Sequence, residues 1–174
     1  MLEIGNGGLT HEEEKSHFAM WALAKAPLII GCDITTASDE SREILKNEEI
    51  IAVNQDPNST QATCRLGCGS WDRLWRLPSV YATKVTGGDT VAMIINWRER
   101  IHESYSFKVQ DLGVLPKENQ YVQVWDLWTH NMVGEYTLQE LEYFKVENIP
   151  GHGNFTFKFK IVDIENDQDK EFIQ

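Results

Sequence analysis

Met1-Leu2-Glu3-Ile4-Gly5-Asn6-Gly7-Gly8-Leu9-Thr10 decides how this chain is read. Met1, Leu2 and Ile4 surround one carboxylate, as at the end of a buried strand. Gly5, Gly7 and Gly8 give the backbone freedom for a tight loop, and Thr10 stands where a helix N-cap belongs. The unit is strand, loop, helix. Thr10 with Glu13 makes a capping box, and Glu12, Glu13 and Glu14 put negative charge at the positive end of the helix dipole. Phe18, Trp21, Ala22 and Lys25 share a stripe flanked by Ala19, Leu23 and Ala26, so the helix can lie against a sheet, and Pro27 ends it. Leu28-Ile29-Ile30, bounded by Pro27 and Gly31, reads as a parallel strand covered on both faces. Ser38 or Asp39 caps a second helix with Ile44 and Leu45 inward. Ile50 to Val53 then packs before Asn54-Gln55-Asp56-Pro57 turns the chain away.

After about residue 60 the pattern changes to short runs of period two. The expected strands are Trp71 to Leu77, Tyr81 to Val85, Val91 to Trp97, Tyr105 to Val109, Tyr121 to Trp128 and Phe155 to Ile161. In the last, Phe155, Phe157, Phe159 and Ile161 alternate with Thr156, Lys158 and Lys160, which predicts one core face and one wet face. Gly87-Gly88-Asp89 is a hairpin turn, and Val91 to Ile95 is apolar on both sides, as in a central strand. Such strands suggest an antiparallel sandwich. The run from Glu165 reads as a solvated acidic tail.

Three ordered blocks resemble the last part of the catalytic barrel of family 27 glycoside hydrolases, the melibiase-type alpha-galactosidases. They are Met1 to Thr10, His17-Phe18-Ala19-Met20-Trp21-Ala22-Leu23-Ala24-Lys25-Ala26-Pro27-Leu28-Ile29-Ile30-Gly31-Cys32-Asp33, and Ile51-Ala52-Val53-Asn54-Gln55-Asp56. The resemblance implies an α/β barrel remnant, the last part of a TIM (β/α)8 barrel, over residues 1–58. An all-β antiparallel sandwich over 59–164 and the tail 165–174 follow it. In that family Met1's counterpart follows an Asp-Pro-Asp absent here, so the expectation is a carboxy-terminal fragment or a truncated gene model. The implied parent chemistry is anomer-retaining release of terminal alpha-linked galactose, with an alpha-galactoside as substrate and without metal or organic cofactor. The compartment implied is secreted or lysosomal/vacuolar, although the amino terminus has no signal-peptide pattern. Rival readings are an alpha-N-acetylgalactosaminidase fragment and a non-catalytic carbohydrate-binding or interaction module.

Retaining glycosidases need two carboxyl groups about 5 Å apart. In the resembled family both are aspartates on earlier barrel strands, so no catalytic residue is expected in this chain. The carboxylates inside the matching blocks have structural readings: Glu3 as an ionic partner near the barrel end, Asp33 as a strand-end turn or cap, Asp56 as the turn before Pro57. Met1 alone inherits a substrate-binding role, its counterpart lying at the barrel mouth beside the sugar pocket. The Gly5-Asn6-Gly7-Gly8 loop belongs to that same end by resemblance and reads otherwise as a tight turn.

Six tryptophans raise the idea of sugar-stacking platforms, but large aromatics more often fill sandwich cores. Trp71 and Trp75 would share a strand face, whereas Trp125 and Trp128, three apart, would not. His17 reads as a hydrogen-bonded helix residue. Asn58-Ser59-Thr60 and Asn154-Phe155-Thr156 fit the glycosylation acceptor pattern, Asn154 only where its corner is exposed. Cys64 and Cys68 can close a short disulfide loop in an oxidising compartment, while Cys32 reads as a small buried residue. His102, His130 and His152 have no zinc-ligand spacing, so no metal site is expected. A net charge of −11 over 174 residues opposes phosphate backbones and anionic membranes, so neither nucleic acid nor membrane is an expected partner.

Overall fold

The computed structural model describes residues 1–69, 77–137 and 139–164. The expected strand over Trp71 to Leu77, apart from its last residue, and the tail 165–174 lie outside the described residues. So does the face shared by Trp71 and Trp75.

Helix α1, His11–Leu23, starts as its capping box dictates. The Glu13 N–H donates to Thr10 Oγ1 at 3.3 Å, and Glu13 Oε2 accepts from the Thr10 N–H at 2.8 Å. It ends before Pro27, because Lys25 takes a left-handed conformation with φ of 57°. The Lys25 ammonium holds that turn by donating to the carbonyls of Val53 and Asp56 and to Ser59 Oγ. Lys25 thus belongs to the helix exit and not to the packing stripe. Helix α2, Asp39–Leu45, takes Ser38 as its cap. Residues Glu48–Gln55 form helix α3, capped by Asn47, with Ile50 and Val53 buried one turn apart.

Among the described residues eight strands follow: β1 Thr63–Leu66, β2 Ser79–Lys84, β3 Thr90–Ile95, β4 His102–Lys108, β5 Gln120–Asp126, β6 Asn131–Tyr136, β7 Tyr143–Ile149 and β8 Asn154–Asp163. They form an antiparallel six-stranded sheet in the order β1-β2-β3-β8-β5-β6 and a second sheet of β4 with β7. The β2–β3 hairpin turns at Thr86–Gly88. Between the sheets, Val80, Ala92, Ile94, Val124, Phe157 and Phe159 meet Phe107, Phe144, Val146 and Ile149. Phe144 anchors this core, packing edge-on against Phe157 at 5.1 Å and Phe159 at 5.3 Å.

The other face of the large sheet is also covered. Val91, Met93 and Ile95 of β3, with Leu127, pack against Phe18, Ala19, Ala22 and Leu23 of α1, Ile44 of α2, and Ile50 and Val53 of α3. The molecule therefore has three layers: helices, six strands, two strands. Strand β3 is buried on both faces, as its unbroken apolar run predicts. The expected wet face of β8 is wet only at its far end, since Thr156 is fully buried beneath the helical layer. Trp125 and Trp128 both lie on the helical side, because β5 ends at Asp126 and strand alternation stops there. Trp97, expected in a core, is 53% exposed just beyond the end of β3.

Among the described residues parallel pairing is limited to one bridge between Leu2 and Ile30, with the Leu2 N–H donating to the Ile29 carbonyl at 2.8 Å. Full coverage of Leu28 to Ile30 is not realised. Ile29 and Ile30 are about half exposed (55% and 48%), because a strand with one neighbour keeps an open edge.

Candidate functional site

In a parallel barrel the functional face lies at the carboxyl ends of the strands. Here the chain beyond the Leu2–Ile30 bridge leads to Glu3, the Gly5–Gly8 loop and the Gly31-Cys32-Asp33 turn, while Met1 immediately precedes the bridge. The loop is held from below by a residue that the charge pattern disguised. Glu14, 6% exposed, accepts the Gly5 N–H at 2.8 Å through Oε1 and the Ser41 hydroxyl at 2.7 Å through Oε2. It joins loop, α1 and α2. Its place on the Phe18–Ala22 stripe, four residues before Phe18, was the signal that it points inward. Gly5 itself needs φ of 80°, and a Cβ there would press to 3.0 Å from Cys32 Sγ.

Glu3 is exposed, and Oε2 accepts from Asn6 Nδ2 at 2.9 Å. Its backbone N–H donates to His17 Nε2 at 3.2 Å, so His17 serves as a neutral acceptor with its ring 4.5 Å from that of Trp21. Burial pushes the His17 imidazole below its ordinary value, the nearby Glu3 carboxylate opposing and the terminal amine reinforcing the shift. Asp33 Oδ1 accepts from both the N–H and the hydroxyl of Thr35, which holds this carboxyl below its usual range. Asp56 does more than turn the chain. Its two oxygens accept from the Thr86 N–H (2.6 Å) and hydroxyl (2.7 Å) and from the N–H groups of Asn58 and Ser59. Those bonds, the Thr86 N–H foremost, draw its pKa down to about 2.

These carboxylates hold structure together, and none is presented as a free pair across an open cleft. Met1 is 71% exposed at the open edge. Cys32 is half-buried and unpaired, against the buried position expected. Cys64 and Cys68 are joined, with Cα atoms 6.3 Å apart. Asn58 is exposed, its amide donating to Thr86 Oγ1 at 3.0 Å. Asn154 is corrected: it is 1% exposed, donates to Ser16 Oγ and accepts from Trp128 Nε1 at 2.9 Å, so no glycan can reach it. Among the described residues no cluster of His, Cys, Asp or Glu could hold a metal, and no helix is long and apolar enough to cross a membrane.

Known proteins match both the helical part and the sandwich. The family model described as "Alpha galactosidase A" matches residues 1–56, and that of the "Alpha galactosidase C-terminal beta sandwich domain" matches 77–159. Alpha-galactosidase 3 of Arabidopsis thaliana is 40% identical over 142 residues, 82% of this chain and 31% of the relative. The alpha-galactosidase of Oryza sativa is 57% identical over 61 residues, 35% of this chain and 15% of its own. The chain spans 15% to 37% of the length of the curated relatives it matches. The crystal structure of alpha-galactosidase I from Mortierella vinacea superposes with a TM-score of 0.77 at 29% identity, covering 91% of this chain and 38% of that one.

Proposed function

Because the chain belongs to the family 27 glycoside hydrolases, the family of the alpha-galactosidases, we propose that it supplies the closing barrel segment and the sandwich of a retaining alpha-galactosidase. The observation that carries this reading is the single parallel bridge between Leu2 and Ile30. It sets the Gly5–Gly8 and Gly31–Asp33 loops at one end, where a barrel keeps its functional face, and leaves Ile29 and Ile30 open for further strands. The nucleophile and the acid/base then come from sequence outside these 174 residues, since Glu3, Asp33, Glu14 and Asp56 are each engaged in hydrogen bonds that hold the fold. Met1 lines the sugar pocket in the assembled barrel, where a polarisable side chain suits the apolar face of a galactose ring.

A terminal alpha-galactoside is favoured as substrate over an N-acetylgalactosaminide because the curated relatives that match most of the chain are alpha-galactosidases. The paired Cys64 and Cys68 support maturation in an oxidising compartment, as for a secreted or vacuolar protein. Asn58 is the glycan acceptor in that setting.

The test substitutes this chain for the matched segment of the Mortierella enzyme. The chimera should release nitrophenol from nitrophenyl alpha-galactoside with retention of the anomer, and should act far less on the N-acetylgalactosaminide. A chimera with native circular dichroism that hydrolyses neither, or only the latter, would overturn the assignment.

A further inference from the structure

We propose that a cleft at one end of the sandwich, floored by Trp97, binds a neutral pyranose of an oligosaccharide. The cleft encloses about 900 Å³ and is lined by Trp97, Tyr81, Arg98, Glu99, Arg100 and His152 among others. A volume of this size suits a small-molecule site.

Hydrogen bonds hold the Trp97 and Asn96 side of the cleft. Trp97 is exposed yet oriented, since its indole N–H donates to Ser79 Oγ at 3.0 Å and the Ser79 hydroxyl donates to the Gly67 carbonyl at 2.9 Å. Asn96, 1% exposed, stitches the two turns that form the cleft. Its amide donates to the carbonyls of Arg100 (2.8 Å), Pro150 (3.0 Å) and Ile149 (3.2 Å), and its Oδ1 accepts from the Arg98 N–H. The His152 N–H closes the same seam on the Arg98 carbonyl at 2.8 Å, and Ser16 of α1 donates to the His152 carbonyl at 2.6 Å.

His152 is the telling residue. It sits at φ of 54°, a left-handed position that a glycine would take without strain. Its neighbour Gly151 meets a backbone need, as a Cβ there would lie 2.0 Å from the Glu99 carbonyl oxygen. At position 152 the chain keeps a side chain in spite of the conformation, and that side chain lines the cleft. The bonds of its backbone to Arg98 and Ser16 over-determine that conformation and so hold the ring at the cleft.

The chemistry on offer is a flat apolar platform ringed by mixed polar groups. An exposed indole face stacks on the C–H face of a pyranose, Arg98, Arg100 and His152 donate to ring hydroxyls, and Glu99 accepts from them. Glu99 offsets one of the two arginines in the same turn, and the overall charge of −11 opposes the approach of an anionic sugar. This inference does not rest on the hydrolase reading, because binding here needs no catalytic carboxylate.

The test titrates the 174-residue chain with raffinose, melibiose, maltose and digalacturonate, following tryptophan fluorescence and heat. At least one neutral probe should quench saturably with a millimolar dissociation constant. Trp97→Ala should weaken it at least tenfold, Trp97→Phe by only a few-fold, and His152→Gly, which relieves the strained backbone, several-fold. Arg100→Ala, at an exposed position, gives a second reading should Trp97→Ala lose native circular dichroism. Absence of saturation by every neutral probe, saturation by digalacturonate alone, or affinities unchanged in folded Trp97→Ala, or in Arg100→Ala where that variant misfolds, would each overturn the proposal.

Discussion

Asp56 shows how a turn residue becomes a tie between layers. Its oxygens reach across from the end of α3 to Thr86 in the β2–β3 turn, so the carboxylate joins helices to sheet. Its pKa is lowered from 3.8 to about 2, so its contribution is full above pH 3.8 and is lost as pH falls toward 2. Asp56→Asn should lower the denaturation midpoint at pH 7 and flatten the acid limb of the stability profile. An unchanged acid limb by urea unfolding would show that these bonds do not persist in solution. Glu14 is likewise a tie between elements, joining the Gly5 loop to α2. Glu14→Ala strands the Gly5 N–H and the Ser41 hydroxyl, at a cost of about 1–3 kcal/mol measurable by the same method. His17 adds a pH dependence near neutrality: its pKa lies below 6.5, so its share of stability is present above that value and is lost as pH falls through the depressed pKa. The shift of its ring protons in a magnetic resonance titration reads this directly, and a midpoint at or above 6.5 would contradict the neutral acceptor role. The sequence showed Asp56 as a turn former but not its second set of partners, which lie thirty residues away across a layer boundary. Glu14 was hidden because an acidic first turn already has a sufficient explanation in the helix dipole.

Elements whose signals are local were legible. The capping box of α1, the glycine hairpin before β3 and the alternating phenylalanines of β8 each depend on a few adjacent residues and appear where the sequence places them. Strand β7 was missed although Phe144 and Val146 alternate with exposed neighbours, because Asn148 at φ of 53° breaks the period before Ile149. Strand β6 was missed because it lies at a sheet edge, with Met132 and Val133 about half exposed, and so carries no buried alternation. The short β1 holds four residues and gives too little pattern to read. Strand β3 is the element on which both cores depend. Met93→Ala, at a fully buried side chain, should cost about 2–5 kcal/mol, while Met132→Ala should stay within about 0.5 kcal/mol. Equal costs by thermal unfolding would mean that the helical layer does not seat on β3.

At the scale of the whole molecule, helices and sandwich share a core. Val91, Met93, Ile95 and Leu127 would face water without α1 and α3. Cross-layer ties, including Asn47 to the Leu127 carbonyl and His130 to Glu49, reinforce the join. The sequence divided the chain into two parts by pattern, but it could not show that the sheet's second face would be covered by the first part. The carboxyl side of the Leu2–Ile30 bridge and the open edge at Ile29 and Ile30 are the features on which the proposed place in a larger barrel rests. The most direct test is the release of nitrophenol from nitrophenyl alpha-galactoside by the purified, folded 174-residue chain alone. The proposed placement of the nucleophile and acid/base outside these residues predicts no turnover above the uncatalysed rate. Turnover that persists through repeated purification, and that falls when Glu3 or Asp33 is replaced, would contradict it and put a catalytic carboxylate within this chain.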